Sequence, residues 1–175
     1  MSVQLVITAL GEDRPGIVDE LSKVLSKQQL NIEDSRMSVL GGEFAILMLV
    51  SGASASIDAF TDEIPALEGS LRMKLLVKLT QKRPESEKLA PYAVEVVSID
   101  HLGIVQDIAH FFSSRNINII DLDTSRYAGA HTGTPMFALH MTVEIPADES
   151  IARLRDEFIS NCDALNLDAK MIPVV

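Results

Sequence analysis

The chain switches repeatedly between two spacings of apolar residues. Val3–Leu10 is rich in apolar and β-branched side chains and reads as a strand. After a turn at Gly11–Arg14 the spacing lengthens, and Ile17, Val18, Leu21, Val24 and Leu25 fall at helical intervals. Pro15 suits the first helical position, where its missing N–H is not needed. Asn31–Leu40 returns to strand, Gly41-Gly42 is a tight hairpin signal, and Glu43–Ser51 is the next strand. Ser54 or Ser56 can cap a second helix through about Leu67, and Leu71–Leu79 closes the series. The order is βαββαβ, the ferredoxin-like split.

The pattern then starts again. Tyr92–Ile99, a helix from about Leu102 to Arg115, Ile117–Tyr127, Met136–Ile145, a helix from about Asp148 to Asn161, and Leu165–Val174 repeat the order. Asp13-Arg14-Pro15-Gly16-Ile17-Val18 returns 87 positions later as Asp100-His101-Leu102-Gly103-Ile104-Val105. Asn31-Ile32-Glu33-Asp34 returns at the same offset as Asn118-Ile119-Ile120-Asp121, and no gap is needed between the two blocks. A repeat this long is one structural unit used twice. The expectation is an α+β chain of two ferredoxin-like units with antiparallel sheets: residues 1–80, a polar linker at 81–90, and residues 91–175. One departure stands out. Where the first copy turns on Gly41-Gly42, the second carries Ala128–Pro135, a longer Gly/Thr loop that is either slack or a functional flap.

The strand faces add a constraint. Phe44, Ile46, Met48 and Val50 line one face of their strand, but Ala45, Leu47 and Leu49 on the other face are apolar too. A sheet covered by helices on one side would show polar residues on its open side, so the open side is expected to be buried against the other unit or a second chain. A homodimer is therefore one candidate assembly. Composition narrows the function. The formal charge is −10, whereas nucleic-acid binders carry a basic face. The one cluster of cations, Arg72, Lys74, Lys78, Lys82, Arg83 and Lys88, reads as an edge strand with protective lysines followed by linker. No direct nucleic-acid contact is expected. The longest apolar run is far too short to span a bilayer, and no basic, apolar leader opens the chain. The single Cys162 has no partner for an internal disulfide, which fits a cytoplasmic protein.

Candidate chemistry sits where the two copies agree. A helix start leaves N–H groups unpaired and a partial positive charge, which suits a carboxylate. Gly16 and Gly103 lack a Cβ, so a small anion could approach the backbone closely. Asn31 and Asn118 can donate and accept, and Asp13, Asp34, Asp100 or Asp121 could face an ammonium. Against this stand ordinary structural uses: Asp before Pro-Gly is a common turn and cap, and Asn before a strand a common helix terminator. The paired recurrence of Gly and Asn at a fixed separation favours a site. Other chemistry is not visible. The four histidines, His101, His110, His131 and His140, show no zinc-like spacing, and there is no dinucleotide fingerprint, phosphate loop or nucleophile elbow. No catalytic residue, cofactor or metal is assigned.

Asp13-Arg14-Pro15-Gly16-Ile17-Val18, the amphipathic helix after it and Asn31-Ile32 resemble the opening of an ACT domain, and the match recurs at Asp100, Gly103 and Asn118. The resemblance covers nearly all of the chain outside the linker. It implies that a small effector, usually an amino acid, binds at the interface between ACT units, near Asp13, Arg14, Pro15, Gly16, Ile17 and Asn31; glycine or serine is expected before larger ones. A stand-alone ACT pair of this length resembles the glycine cleavage system transcriptional repressor family. That family resemblance implies a cytoplasmic amino-acid sensor with no enzymatic activity, acting on transcription through a LysR-type activator protein. The first copy is the better match for ligand binding, because the second replaces Arg14 by His101 and Pro15 by Leu102. A regulatory subunit of a separate metabolic enzyme is the alternative reading, and a small ferredoxin-like enzyme a third.

Overall fold

The computed structural model describes residues 2–81, 89–130 and 132–174. The chain divides into two compact units, Met1–Pro84 and Glu85–Val175. The first contains β1 (Ser2–Glu12), α1 (Ile17–Lys27), β2 (Asn31–Leu40), β3 (Glu43–Ala53), α2 (Ser54–Leu71) and β4 (Met73–Thr80). The second contains β5 (Leu89–Ile99), α3 (Ile104–Ser113), β6 (Asn118–Ala128), β7 (Pro135–Pro146), α4 (Ile151–Ala164) and β8 (Asp168–Pro173). Each unit is βαββαβ, with a four-stranded antiparallel sheet ordered β2-β3-β1-β4 or β6-β7-β5-β8. Residues 82–88 of the expected linker, with Lys82, Arg83 and Lys88, lie outside the described residues; Leu89 and Ala90, expected as linker, already belong to β5.

Both helices of a unit cover one face of its sheet. In the first unit Leu5, Ile7, Ile46, Met48 and Val50 from the strands meet Leu21, Leu25, Ile57 and Phe60 from the helices. In the second, Val94, Val96, Leu139, Met141 and Val143 meet Ile108, Phe112, Leu154 and Phe158.

Helix ends follow one recipe. α1, α3 and α4 each close on a left-handed residue that is not glycine: Gln29, Asn116 and Asn166, all at φ 58°. The next N–H reaches back to a carbonyl five residues earlier, from Leu30 to Leu25, Ile117 to Phe112 and Leu167 to Cys162. The two apolar partners of each bond are buried together, which defines the Schellman closure. The helix terminators are thus Gln29 and Asn116, not Asn31 and Asn118, which open the strands that follow. α2 runs to Leu71 and closes on Arg72 at φ 54°, so Leu71 and Arg72, expected in the last strand, belong to the helix and its cap. Both β2 and β6 carry a bulge at the same place, between Ile32 and Asp34 and between Ile119 and Asp121.

The hairpins differ as expected. Leu40 pairs with Glu43 across the two-residue Gly41-Gly42 turn. The longer loop of the second unit is tied to itself: Gly129 N–H donates to Thr134 O at 2.8 Å and Gly133 N–H to Gly129 O at 2.9 Å. His131, within it, lies outside the described residues.

Candidate functional site

The turn after β1 is pinned before the helix begins. Asp13 N–H donates to Gly42 O at 3.1 Å, and Asp100 N–H to Pro135 O at 2.9 Å, so each turn hangs on its unit's hairpin. Helix α1 then starts on Gly16 and α3 on Gly103, at φ 93° and 98°, a left-handed conformation that an L side chain rarely adopts. Pro15 therefore lies ahead of the cap rather than at the first helical position. Neither helix start has a side-chain cap hydrogen bond, so Asp13 and Asp100 do not cap. Their carboxylates differ. Asp100 pairs with Arg126 at 2.6 Å, while Asp13 is exposed.

An acid stands beside each glycine. A Cβ placed on Gly16 would lie 3.7 Å from Glu20 Oε1, and one on Gly103 would lie 3.8 Å from Asp107 Oδ2. These residues were not among the expected site. A signal was present, because Glu20 and Asp107 occupy matching places in the repeat, but the change from Glu to Asp hid the match. In the first unit Glu20 is engaged: Arg14 donates from Nη1 at 2.8 Å and Nη2 at 2.5 Å, and Nη2 also reaches Leu71 O at 3.2 Å. This pairing holds the Glu20 carboxyl below its usual range. In the second unit the place of Arg14 is taken by His101, whose ring Nδ1 lies 3.1 Å from Leu102 O. Among the described residues Asp107 makes no ion pair or side-chain hydrogen bond. It also borders a groove of about 880 Å³ between α3 and α4, with Arg115 and Glu157 on its walls. Leu102, beside Gly103, is 99% exposed.

The remaining expected residues lie apart. Ile17 and Ile104 are buried in the cores and fix the helix to the sheet. Asn31 pairs across β3 with Ser51, which pairs with Gln4 at the start of β1. The Asp13–Gly16 turn follows the other end of β1, roughly 25 Å away at about 3.3 Å per residue. Asn118 is placed likewise, opposite Glu144. Within its own unit neither asparagine can touch a ligand held at the turn. Asn31 Nδ2 donates to Glu33 Oε1 at 3.0 Å, and Ser51 Oγ donates to the same oxygen. Both bonds hold the Glu33 carboxyl below its usual range, Ser51 contributing the larger share. Asn118 Nδ2 reaches Glu144 Oε2 at 3.4 Å.

Residues 3–78 match the ACT domain family. The glycine cleavage system transcriptional repressor of Escherichia coli (strain K12) is 32% identical over 162 residues, which span 93% of this chain and 85% of that protein. A UPF0237 protein of Methanopyrus kandleri is 39% identical over 75 residues, 42% of this chain and 83% of its own. Among solved structures, one described as a candidate glycine cleavage system transcriptional repressor superposes with a TM-score of 0.75 at 28% identity, over 99% of this chain and 98% of that one. No helix among the described residues is long and apolar enough to cross a membrane.

Proposed function

The chain belongs to the glycine cleavage system transcriptional repressor family of ACT-domain proteins, a family of regulators, and from that premise we propose that it is a cytoplasmic sensor of a small amino acid. Glycine and serine come before larger ligands. The sensor acts on transcription of glycine cleavage through a LysR-type activator protein, without touching DNA itself. The observation that carries the ligand reading is the uncapped helix start on a left-handed glycine, built twice, with a carboxylate 3.7–3.8 Å from the place of a Cβ. Free N–H groups of the first turn take the ligand carboxylate. Glu20 or Asp107 faces its ammonium. The N–H groups and the carboxylate belong to the first turn of one helix, and an α-amino acid carries its two charges on neighbouring atoms of one carbon. The second turn is favoured over the first, because Asp107 has no partner among the described residues while Glu20 is held by Arg14.

Thermal-shift and calorimetric titrations of the full chain with a panel of amino acids test this. Glycine or serine should raise the melting temperature by several degrees, since a ligand at about 100 times its Kd stabilises the fold by about 2.7 kcal/mol. Asp107→Asn should weaken binding. It is a cleaner variant than Gly103→Val, which would strain a backbone at φ 98°. The reading fails if no amino acid binds, or if Asp107→Asn combined with Glu20→Gln binds like the parent. The purified chain should leave its promoter DNA unshifted at physiological salt, in keeping with its charge of −10, and a tight shift by this chain alone would overturn the indirect route.

A further inference from the structure

The face of the first unit's sheet that no helix of that unit covers carries an apolar strip with charged residues on its two edge strands. By register its middle row reads Arg36, Leu47, Thr8, Leu76 across β2-β3-β1-β4, and the next row reads Asp34, Leu49, Val6, Lys78. Leu76 is 72% exposed, Leu47 49% and Leu10, one row on, 48%. An apolar strip this open, rimmed by charge, marks an interaction surface. The edges say which partner fits. Asp34 and Lys78 end the same row on opposite edge strands. Three strand spacings, about 14 Å, separate them, so they cannot pair within one sheet.

We infer that this face binds the same face of a second copy of the chain, around a twofold axis parallel to the strands. Such an axis lays β2 of one copy over β4 of the other at the same height. Asp34 then faces the second copy's Lys78, and Lys78 its Asp34, while Leu49 and Val6 cover each other. In the middle row Leu47 meets Thr8, and the methylene stem of Arg36 lies along Leu76. The arrangement is isologous, as a closed dimer requires, and follows the aligned packing of two twisted sheets. Lys78 has no ion pair among the described residues, and Asp34 is held within its own strand, by Arg36 at 2.5 Å and by the backbone of Ser35. The second unit lacks this code: its equivalent middle row is Asp123, His140, Glu95, Lys170.

Sedimentation of the full chain, with circular dichroism to check folding, is the test. The parent should be a dimer at micromolar concentration. Leu47→Glu with Leu76→Glu should give a folded monomer. Asp34→Lys alone and Lys78→Asp alone should each weaken the dimer by roughly tenfold or more, the scale of a close charge pair across an interface. Asp34→Lys with Lys78→Asp together should restore it. A monomeric parent means another partner covers the face and overturns the proposal. So does a dimer that survives Leu47→Glu with Leu76→Glu, or charge swaps that do not rescue each other.

Discussion

Across the open sheet face, the first unit reads Arg36, Leu47, Thr8, Leu76 where the second reads Asp123, His140, Glu95, Lys170. Beneath that face the two are nearly interchangeable. Both sheets have the same order, both first helices start on a left-handed glycine, and both second strands carry the same bulge. What a backbone needs has been kept in both copies. The exposed side chains of the open face and of the turns have diverged. The turns show the same division: Arg14 closes over Glu20 in the first unit, while in the second Asp107 is left open and Arg126 is drawn to Asp100 instead. One unit presents apolar surface and a neutralised turn. Its sibling presents a charged surface and a carboxylate with no partner among the described residues.

The two units have equivalent cores built as distinct clusters, and the largest expected effect lies there. Phe112 and Leu25 occupy the same place in the closure of α3 and α1. Phe112 meets Phe111 edge-on, with ring centroids 5.2 Å apart, and tilts against Phe158 at 5.1 Å. Phe112→Ala should cost about 3–5 kcal/mol and Leu25→Ala about 2–5 kcal/mol. Tyr92 and Tyr127 are the only tyrosines and the chain has no tryptophan, so tyrosine fluorescence reads the second unit alone. In urea, Phe112→Ala should shift the tyrosine midpoint strongly. Leu25→Ala should act mainly on the dichroism signal. Equal shifts in the tyrosine signal would break the picture of two separate cores.

A smaller effect is expected at the turns. Arg14→Ala should lower the melting temperature modestly, since the pair is partly exposed and such pairs are weak. The sign with pH is fixed by Glu20, whose folded carboxyl is held below its usual range by Arg14. Its contribution is present above the unfolded pKa of 4.5 and is lost as pH falls through the depressed folded value. The gap between parent and Arg14→Ala should therefore close in acid and persist at neutral pH. His101→Arg should build the missing clamp onto Asp107 and raise stability. If that gain survives Asp107→Asn, the contrast between the turns has another origin.

Much of this was legible in the residues. The two-period pattern and the offset of 87 gave two βαββαβ units, because side-chain spacing is dictated by the backbone itself. The helix starts at Gly16 and Gly103 were legible for the same reason. Pairing Gly16 with Asn31 was not, since a fixed separation along the chain says nothing about which end of the sheet each occupies. An eleven-residue helix carries the chain from one end to the other. Glu20 was hidden by position: it lies within the helix, where an acid in the first turn passes for ordinary helix chemistry. Gln29 and Arg72 were hidden because left-handed closures are expected of Gly or Asn, and here tertiary packing of Leu30 and of α2 outweighs that preference.

The smallest effect among the core truncations lies at Cys162, the slightest of the three side chains that close a helix against the next strand. Where α1 sets Leu25 on Leu30 and α3 sets Phe112 on Ile117, α4 sets Cys162 on Leu167. Cys162→Ala removes one atom from a buried contact and should cost about 1 kcal/mol, well below the other two truncations. Burial, with a lesser push from the charge of Asp163, raises the thiol to about 11 from an ordinary value of 9.0. The folded protein thus holds this proton to higher pH than the unfolded chain does. Its contribution is complete below pH 9.0 and is lost as pH rises toward about 11. The parent should lose stability over that window faster than Cys162→Ala, as read by urea midpoints at successive pH values. Native alkylation at mildly alkaline pH should proceed no faster than unfolding exposes the sulfur. Rapid alkylation of the folded chain would show that the closure of α4 opens freely, and that this pair does not share the role of its two counterparts.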